Sequence, residues 1–517
     1  MKLPKLFTTF TIACLLGVMS GFSAEFTPIF NGENLDGWEG ESSLWRVEDG
    51  AIVGETSDEK PIEYNSFLIW QNGEVDDFEL KVKYKIESGN SGIQIRSFMR
   101  GKPHQLGGYQ ADIDSSGKFT GICYGEGFRG ILSKRGESAA MNEEGKSEKT
   151  GDLGNPDELG AKVKADDWND YHIIAKGHKI TIKINGETMT ELTDNDTDTR
   201  RRVGLLGFQL HKGPAMKVHF KDIMLKRLPI EDVKKIVFVA GKPSHPPRTH
   251  EHNAGCKLAA HLLNQHHSDK IVATVYTNGW PADRTAFDNC HAVVMHADGG
   301  IRHPAAKYLD VLATLRERKV GVGAIHYAVE MTPGPTNEEL TRCIGGAFEI
   351  NYSVNPHWVA KFETIPDHPV ANGVEPFEIN DEWYFNMRFA EDMKGVTPIL
   401  SAVPPAETMS RRDGHHSGNP EVRKMVAAGE PQHLLWLYER PDGGRGFGFT
   451  GTHYHDNWAN DSFRNAVYNA IAWIAGVEIP EEGIATPTPD EALLEMNLDP
   501  KPARKPKAPK PEKKKAA

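Results

Sequence analysis

The sequence predicts two domains of different fold class, a β-sandwich followed by a doubly wound α/β domain. Residues 26–228 contain short stretches of alternating apolar and polar residues separated by Gly, Asn and Asp, which is typical of a sandwich. From about residue 229, apolar strands alternate with predicted helices, which indicates a parallel sheet covered on both faces. A chain of 517 residues is also too long for a single hydrophobic core.

In the first domain, five segments show the alternation most clearly, at residues 78–86, 92–95, 171–174, 180–184 and 216–225. Asn185-Gly186 predicts a tight hairpin turn, because both positions tolerate a positive φ. Residues 133–167 are polar and lack apolar periodicity, so they are predicted to form a long loop over one sheet face.

In the second domain, the predicted strands and helices follow one another at short intervals. The strands are expected at residues 236–240, 271–276, 292–296 and 320–327. The helices are expected at residues 255–264, 304–318 and 462–475, with a short further helix at 490–496.

Both termini are predicted to lie outside the two domains. Lys2 and Lys5 precede an apolar run that ends in small residues, which is the pattern of a secretory signal peptide over residues 1–24. We therefore expect an exported protein, periplasmic or secreted, with domains at 25–228 and 234–478. Residues 479–517 are rich in Pro and Lys and are predicted to be a disordered tail. No later segment is apolar enough to span a bilayer.

Charge and cysteine content exclude some classes of protein. The formal net charge is -12 although the tail is basic, so the folded body is strongly acidic and nucleic acid is not an expected partner. Four of the five cysteines lie beyond the signal peptide without the paired spacing of a zinc ribbon or redox motif, and buried free thiols are expected.

Several sequence blocks of the first domain occur in an order and spacing that resemble a known family. The blocks are Phe30-Asn31-Gly32, Gly37-Trp38, Trp45-Arg46-Val47-Glu48-Asp49-Gly50, Gly89-Asn90-Ser91-Gly92, Gly108-Tyr109-Gln110, Trp168-Asn169-Asp170-Tyr171 and Gly207-Phe208-Gln209-Leu210-His211. They resemble the 3-keto-disaccharide hydrolase domain family, a concanavalin-like jelly roll. The resemblance implies attack on a glycoside whose C3 hydroxyl has already been oxidised to a ketone.

A C3 ketone acidifies the C2 proton, so the C1 substituent can leave by elimination and water can add afterwards. Such a site needs a base, a group that stabilises the developing enolate, and in some cases a divalent metal as Lewis acid. The candidates for base or ligand are Asp112, Glu126 and His211, and those for substrate binding are Arg96, Tyr109, Tyr124, Arg129 and Gln209. A structural ion pair between Arg96 and Asp112 is the alternative for those two residues.

Histidines follow three predicted strands of the second domain. His245, His250 and His252 come after the first strand, His326 ends another, and His453 follows residues 445–450. Because ligands bind at the carboxyl ends of parallel strands, we expect these side chains to share one rim. Imidazoles beside carboxylates suit either a divalent metal or proton transfer, and their spacing leaves both open.

The second domain also resembles a known family, the trehalose-utilisation ThuA family. The matching blocks are Ala240-Gly241-Lys242-Pro243-Ser244-His245, His250-Glu251-His252-Asn253-Ala254-Gly255, Asp298-Gly299-Gly300, His326-Tyr327-Ala328-Val329-Glu330 and Asp381-Glu382-Trp383-Tyr384. The resemblance implies the fold of flavodoxin and class I glutamine amidotransferases, but His326 stands where those enzymes have their cysteine, so glutaminase chemistry is not expected. It makes His326 and Glu382 candidate catalytic residues, Tyr384 a substrate-binding residue, and His250, His252 and His453 candidate metal ligands.

Together these features predict an exported enzyme that cleaves 3-keto-glycosides or 3-keto-disaccharides by elimination and hydration or by hydrolysis. The second domain is expected to act on a related keto-sugar. No dinucleotide fingerprint is present, so no nicotinamide or flavin is expected, and a separate sugar 3-dehydrogenase must supply the ketone. The alternative is a non-catalytic glycan-binding protein with a scaffold or sensor α/β domain.

Overall fold

The computed structural model describes residues 25–501. The predicted signal peptide and the last part of the predicted tail, residues 502–517, lie outside the described residues. Among the helices of residues 25–501, none is long and apolar enough to cross a membrane.

The first domain consists of short strands with one short helix, α1 (Pro156–Gly160). The strands are β1 (Thr27–Pro28), β2 (Trp38–Glu39), β3 (Trp45–Glu48), β4 (Ala51–Glu55), β5 (Ser66–Trp70), β6 (Phe78–Ser88), β7 (Asn90–Met99), β8 (Leu106–Asp114), β9 (Cys123–Glu126), β10 (Gly130–Ser133), β11 (Glu137–Met141), β12 (Ser147–Asp152), β13 (Asn169–Lys176), β14 (Lys179–Ile184), β15 (Glu187–Asp194), β16 (Leu205–Leu210) and β17 (Lys217–Arg227).

These strands form two sheets that pack face to face. One has ten strands in the order β12-β11-β15-β14-β13-β6-β17-β4-β3, with β1 added beside β17, and it is antiparallel except where β11 meets β15. The other has seven antiparallel strands in the order β10-β9-β8-β7-β16-β5-β2. Alternate side chains of β6, including Phe78, Leu80 and Val82, are buried in the core between the sheets. The predicted β-sandwich is therefore confirmed.

The turns of the sandwich agree with the sequence in one place and differ in another. Asn185 and Gly186 have φ of 50° and 88° and join β14 to β15, as their sequence predicts. The long loop predicted over residues 133–167 is wrong, because this segment holds β11, β12 and α1. Most of β12 is exposed at the edge of the ten-stranded sheet, so its residues show no apolar alternation from which a strand could be inferred.

The second domain alternates strands with helices. Its strands are β18 (Lys234–Ala240), β19 (Ile271–Tyr276), β20 (Ala292–His296), β21 (Gly321–Ile325), β22 (Gly346–Ala347), β23 (His357–Phe362), β24 (Phe377–Glu382), β25 (Arg388–Phe389), β26 (Val396–Ala402), β27 (Gln432–Glu439) and β28 (Arg445–Phe449). Its helices are α2 (His252–His266), α3 (Leu309–Glu317), α4 (Pro335–Ile344), α5 (Pro420–Ala428), α6 (Asp461–Ile474) and α7 (Glu491–Glu495).

The main sheet of this domain has the order β19-β18-β20-β21-β28-β27-β26. The first five strands are parallel and the last two are antiparallel to their neighbours. Ile236 and Phe238 of β18 pack in the same core as α2 and α6, whereas Val237 and Val239 pack with α3 and α4. Helices therefore cover both faces of a largely parallel sheet, which places the carboxyl ends of β18, β20, β21 and β28 side by side.

Buried ionic contacts join the two domains. Lys235 Nζ lies 2.7 Å from Asp76 Oδ2, and both side chains are almost fully buried. Arg227 Nη2 donates to the Tyr276 hydroxyl at 3.0 Å and to Asp283 Oδ2 at 3.1 Å. Because buried charges need partners, these contacts fix how the sandwich sits against the second domain.

Part of the predicted disordered tail is ordered. Within residues 479–501, Ile484 and Leu494 are buried, and Glu491 of α7 pairs at 2.9 Å with Arg248, in the loop that carries His250. Lys501 Nζ bonds the carbonyl of Thr249 at 2.7 Å. The prediction of disorder is wrong for this segment. It was made because the few buried apolar residues are isolated in the sequence and show no apolar periodicity.

Candidate functional site

Four loops at the carboxyl edge of the parallel strands bring the predicted histidines together. His250 lies between β18 and α2, Asp298 follows β20, His326 follows β21, and His453 follows β28. Glu382 is the last residue of β24 and reaches the same place. The convergence expected for His250, His326 and His453 is therefore observed, and Glu382 joins them.

The ligand atoms of these four side chains all lie within 4.8 Å of one another. His250 Nε2 lies 3.0 Å from His453 Nδ1 and 3.1 Å from His326 Nε2. Glu382 Oε2 lies 3.1 Å from His453 Nδ1. Tetrahedral ligands with bonds of about 2.1 Å stand about 3.4 Å apart, so this set has roughly the spacing that a small metal ion needs.

The hydrogen bonds of Nδ1 in His250 and His326 determine the tautomer of each ring, and so which nitrogen faces the cluster with a lone pair. His250 Nδ1 lies 2.9 Å from Asp298 Oδ1, and His326 Nδ1 lies 3.0 Å from the carbonyl of Thr450. Each Nδ1 must therefore be the donor, so in the neutral rings both Nε2 atoms present lone pairs to each other. Burial lowers the pKa of His250 and of His326 well below the usual value, which disfavours a proton between them. The two lone pairs repel each other, and a cation bound between them would remove this repulsion.

The backbone of the cluster is strained at several positions. His245, His250, His326 and Thr452 have φ of 61°, 48°, 57° and 82°, values that side chains other than glycine rarely adopt. Such strain persists only where the surrounding structure enforces it, and it concentrates at functional sites.

Two neighbouring carboxylates have different tasks at this edge. Glu382 accepts hydrogen bonds from Asn355 Nδ2 at 3.2 Å and from the Tyr384 hydroxyl at 3.3 Å. Asp381 is fully buried and accepts the backbone N–H groups of Thr452 and His453 at 2.8 and 2.9 Å. Burial raises the pKa of Asp381 to about 6. Asp381 thus fixes the loop that carries His453, and Glu382 faces the cluster.

His252, predicted as a metal ligand, is not one of the four clustered side chains. Its Nδ1 lies 3.1 Å from the Lys242 carbonyl, and its Nε2 is 3.8 Å from Asp298 Oδ1. The His252 ring lies between those of His296 and His250, with centroids 5.0 and 5.5 Å away. The clustered side chains instead include His326 and Glu382, which the sequence indicated as catalytic residues.

The cluster borders a pocket of about 410 Å³. The lining residues are His245, His250, Tyr327, Asn355, Glu382, Tyr384, Arg411 and His416. Sequence reasoning missed Asn355, Arg411 and His416, which lie in irregular segments between β22 and α5. These segments have no strand or helix period, so nothing in the sequence placed them at this edge.

The first domain carries a separate polar network on one face of its seven-stranded sheet. Gln110 Nε2 donates to Asp112 Oδ1 at 2.7 Å and to Gln209 Oε1 at 3.3 Å, and Gln209 Nε2 donates to Glu126 Oε2 at 3.4 Å. Asn65 Nδ2 also donates to Glu126, at 2.9 Å. The structure thus joins three predicted residues, Asp112, Glu126 and Gln209, through a glutamine that was quoted only as part of a motif.

Burial and the nearby charge of Glu126 raise the pKa of Asp112. Asp112 is 6% exposed, and burial raises its pKa to about 8 despite the hydrogen bond from Gln110. Gly92 is paired with Asp112 across the strands, and a Cβ there would meet Gln110 Cδ at 2.5 Å. The glycine therefore leaves the space in which Gln110 reaches the carboxyl group.

Of the other predicted residues of this domain, Tyr124 lies on the face of the polar network and His211 does not take part in it. Tyr124 is paired with Gln110 and shares its face with Glu126, and burial raises its pKa. His211 is exposed just after β16, and within residues 25–501 its side chain makes no hydrogen bond to Asp112 or Glu126. The structure therefore places Tyr124 on the network's face and leaves His211 outside the hydrogen-bonded set.

Arg96, Tyr109 and Arg129 lie elsewhere, contrary to their predicted role in substrate binding. Arg96 is buried with a φ of 46° and pairs with Asp77 at 2.9 Å, not with Asp112. The Tyr109 hydroxyl and Arg129 both bond Asp194. Tyr109 is one residue from Gln110 and so points to the opposite side of β8, into the core.

The fold and this network define the first domain as a β-sandwich with two carboxyl groups linked by glutamine side chains on one sheet. Residues 25–226 match the model of a family described as the 3-keto-alpha-glucoside-1,2-lyase-like domain. This part of the chain is therefore similar to a carbohydrate-active family in sequence. No curated protein matches the chain.

Three similar solved structures cover different shares of the chain. A protein from Parabacteroides distasonis, provisionally described as a glycosyl hydrolase, is 17% identical and covers 40% of this chain and 100% of its own, with a TM-score of 0.28. The carbohydrate binding module CBM66 from Bacillus subtilis is 15% identical over 37% of this chain and 95% of its own, with a TM-score of 0.25. A protein from Bacteroides uniformis, provisionally described as ThuA-like, is 16% identical over 47% of this chain and 91% of its own, with a TM-score of 0.35.

Proposed function

We propose that the protein is a carbohydrate-active enzyme that cleaves 3-keto-glycosides at the polar network of its sandwich. The observation that carries this proposal is the hydrogen-bonded chain of Gln110 and Gln209 that links Asp112 to Glu126 inside the region that matches the lyase-like family model. Both carboxyl groups lie on the same sheet face, and a chain of amide side chains holds them. Paired carboxyl groups in different environments are the usual means of providing one acid and one base at neutral pH.

In the proposed reaction the two groups act on opposite ends of one elimination. Glu126 takes the C2 proton, which the C3 ketone makes acidic, and the electrons of the C2–H bond form the C1–C2 double bond. The C1–O bond breaks, and Asp112, which is protonated below its pKa of about 8, gives its proton to the leaving oxygen. Each proton transfer of this kind contributes about 10²–10⁴-fold in rate. Water then adds to the double bond.

We further propose that the second domain binds one divalent metal ion and acts on a related keto-sugar. His250, His326, His453 and Glu382 would hold the ion, and the two facing Nε2 atoms support this assignment. Three imidazoles and one carboxylate suit zinc or another first-row ion. When bound, such an ion supplies a Lewis acid for a sugar oxygen.

The cysteines of this domain do not support a thiol-based reaction. Burial raises the pKa of Cys343 to about 12 and that of Cys290 to about 11, so neither forms a thiolate at neutral pH. The proposed enzyme therefore departs from the amidotransferase chemistry that its expected fold family would suggest. Export, and supply of the ketone by a separate sugar 3-dehydrogenase, remain parts of the proposal.

The proposal is tested with the purified mature protein and a 3-keto-glucoside that carries a chromogenic aglycone. Release of the aglycone is expected from the keto-glucoside and not from the parent glucoside, because only the ketone makes the C2 proton acidic. The glycan-binding alternative predicts that glycan gels retain the protein and that no aglycone is released. That result would refute the proposed enzymatic activity.

The C-terminal segment is predicted to stabilise the metal site. Lys501 is almost fully buried, and its ammonium bonds the carbonyls of Thr249 and His250 and lies 3.0 Å from Glu251 Oε1. We expect Lys501→Met to weaken zinc affinity about 10–100-fold, the usual effect of removing an outer partner of a ligand. Competition with a chromogenic chelator measures the affinity.

Lys501→Arg keeps the charge and should recover part of the lost affinity, while the exposed Lys361→Met gives the baseline. An unchanged zinc affinity in Lys501→Met would show that the segment does not support the loop of His250.

A further inference from the structure

We propose that His416 and Glu330 form a proton-transfer pair in the pocket of the second domain, with His416 as the base that removes a proton from the carbon next to a sugar carbonyl. This inference rests on the proposed action of the domain on a keto-sugar. It names the group that performs the reaction and the class of reaction, an enolisation that leads to isomerisation or epimerisation.

Glu330 is a buried carboxylate with one ionic partner. It is 3% exposed and follows the turn that begins at His326. Its two oxygens lie 3.1 and 3.3 Å from His416 Nε2. Among residues 25–501 no other basic side chain lies within 4.0 Å of it. A buried carboxylate is costly unless it is paired, so this pair is held together.

The contact with Glu330 fixes the tautomer and the position of the His416 ring. Because the carboxylate accepts, Nε2 carries the proton and Nδ1 is left with a lone pair in the neutral ring. The ring stacks on Phe348 with centroids 5.1 Å apart, and it meets Tyr327 edge to face. A carboxylate that orients an imidazole in this way is the arrangement of a general base.

His416 lines the same pocket as His250 and Glu382, two of the four proposed metal ligands. His416 makes no hydrogen bond to any of the four ligands within the described residues, so their coordination does not account for it. A substrate in the pocket would meet the cluster and His416 together. The dyad of buried Glu330 and partly exposed His416 is therefore placed to act on a group that the cluster holds.

Arg411 provides a positive charge that can stabilise the enolate oxygen formed when the proton is removed. Its Nη2 donates to Asn355 Oδ1 at 3.0 Å and to the His416 carbonyl at 3.1 Å. No carboxylate of the described residues lies within 4.0 Å of the guanidinium, so its positive charge is free to meet an anion that forms in the pocket. An enolate oxygen is such an anion.

The step balances with the groups present. His416 Nδ1 takes the proton from the carbon next to the carbonyl, and the electrons of that C–H bond form a carbon–carbon double bond. The carbonyl electrons move onto oxygen, which becomes the oxyanion that Arg411 contacts. Return of the proton from His416 to the former carbonyl carbon, with transfer of the neighbouring hydroxyl proton to the oxyanion, completes an isomerisation. For an epimerisation, a water on the opposite face protonates the original carbon, and His416 gives its proton to solvent. Neither route needs an oxidant or a reductant.

The test follows hydrogen exchange by proton NMR on 3-keto-glucose in D₂O. A Glu126→Gln background removes the base proposed for the sandwich. In that background we expect loss of the signals of the hydrogens next to the carbonyl. His416→Gln should slow this exchange at least 100-fold, and Glu330→Gln at least 10-fold with little change in KM. The adjacent, exposed His415→Gln is the matched control and should exchange at the background rate.

The outcomes separate the two proposals. If the wild-type protein releases aglycone from keto-glucosides but the Glu126→Gln background exchanges nothing, the dyad is refuted while the sandwich function stands. Exchange that persists in both His416→Gln and Glu330→Gln also refutes it. Absence of aglycone release refutes the sandwich function instead. Circular dichroism identifies variants that fail to fold, and Arg411→Gln, which should slow exchange at least 10-fold, then gives the independent test.

Discussion

His250→Ala is expected to reduce bound zinc from about one ion per chain to less than a tenth of that. His250 Nε2 lies within 3.1 Å of a nitrogen on both His326 and His453, so its loss removes the centre of the ligand set. Removal of an outer partner alone costs about 10–100-fold in affinity, and removal of a ligand should cost more than 100-fold. Elemental analysis after dialysis against a weak chelator measures the metal content.

The same variant should lose the stabilisation that the metal gives. A free ligand at about 1,000 times its Kd raises the free energy of unfolding by about 4 kcal/mol. Zinc should therefore raise the Tm of the wild type and leave the Tm of His250→Ala unchanged. His261→Ala, at an exposed position of α2, is the control and should keep both the metal and the Tm shift. A wild-type protein that takes up no zinc, cobalt or manganese would contradict the ligand assignment.

The sequence predicted the place of this cluster better than its members. Histidines that follow strands of a parallel sheet meet at one edge, and this argument brought His250, His326 and His453 together. It cannot separate His250 from His252, because both follow the same strand, and His250 lies in a loop with a φ of 48° before the helix begins at His252. The structure shows that His252 Nδ1 faces the carbonyl of Lys242 instead.

Residues from irregular segments were beyond prediction for a different reason. Asn355, Arg411 and His416 come from stretches with no period, and their positions depend on long-range packing against strands that were assigned independently. The dyad of Glu330 and His416 joins residues 86 positions apart. No local pattern contains that information.

In the sandwich, strand parity would have separated several candidates. Asp112 and Tyr109 are three residues apart on one strand, so they lie on opposite faces, while Tyr124 and Glu126 share a face. Arg96 was harder, since the irregular pairing between Ile95 and Phe98 carries its side chain away from the network. The glutamines that link the carboxyl groups gave no signal, because amides on strands are common.

Asp112→Asn is expected to lower kcat for aglycone release about 10²–10⁴-fold, because the amide cannot donate a proton to the leaving oxygen. In the wild type the rate should fall as the pH rises through about 8, where Asp112 loses that proton. The variant should lack this fall. Rate profiles from pH 5 to pH 10 with a poor leaving group, which needs the acid most, measure the effect.

The same substitution should change stability in a direction that the raised pKa determines. The carboxyl group of Asp112 titrates near 3.8 when unfolded and near 8 when folded, so its contribution is fully present below pH 3.8 and is lost as the pH rises through 8. Asparagine never ionises, and we expect Asp112→Asn to be more stable than the wild type at pH 9 by at least about 1 kcal/mol, the worth of one pKa unit. At pH 4 the two proteins should differ little.

Asp170→Asn, an exposed change on the other sheet, is the control and should leave both profiles as they are in the wild type. Urea unfolding at pH 4 and pH 9 provides the stabilities. If Asp112→Asn kept its rate and its pH profile while Glu126→Gln lost activity, the acid would have to be another group, and Tyr124 on the same face would be the next to replace.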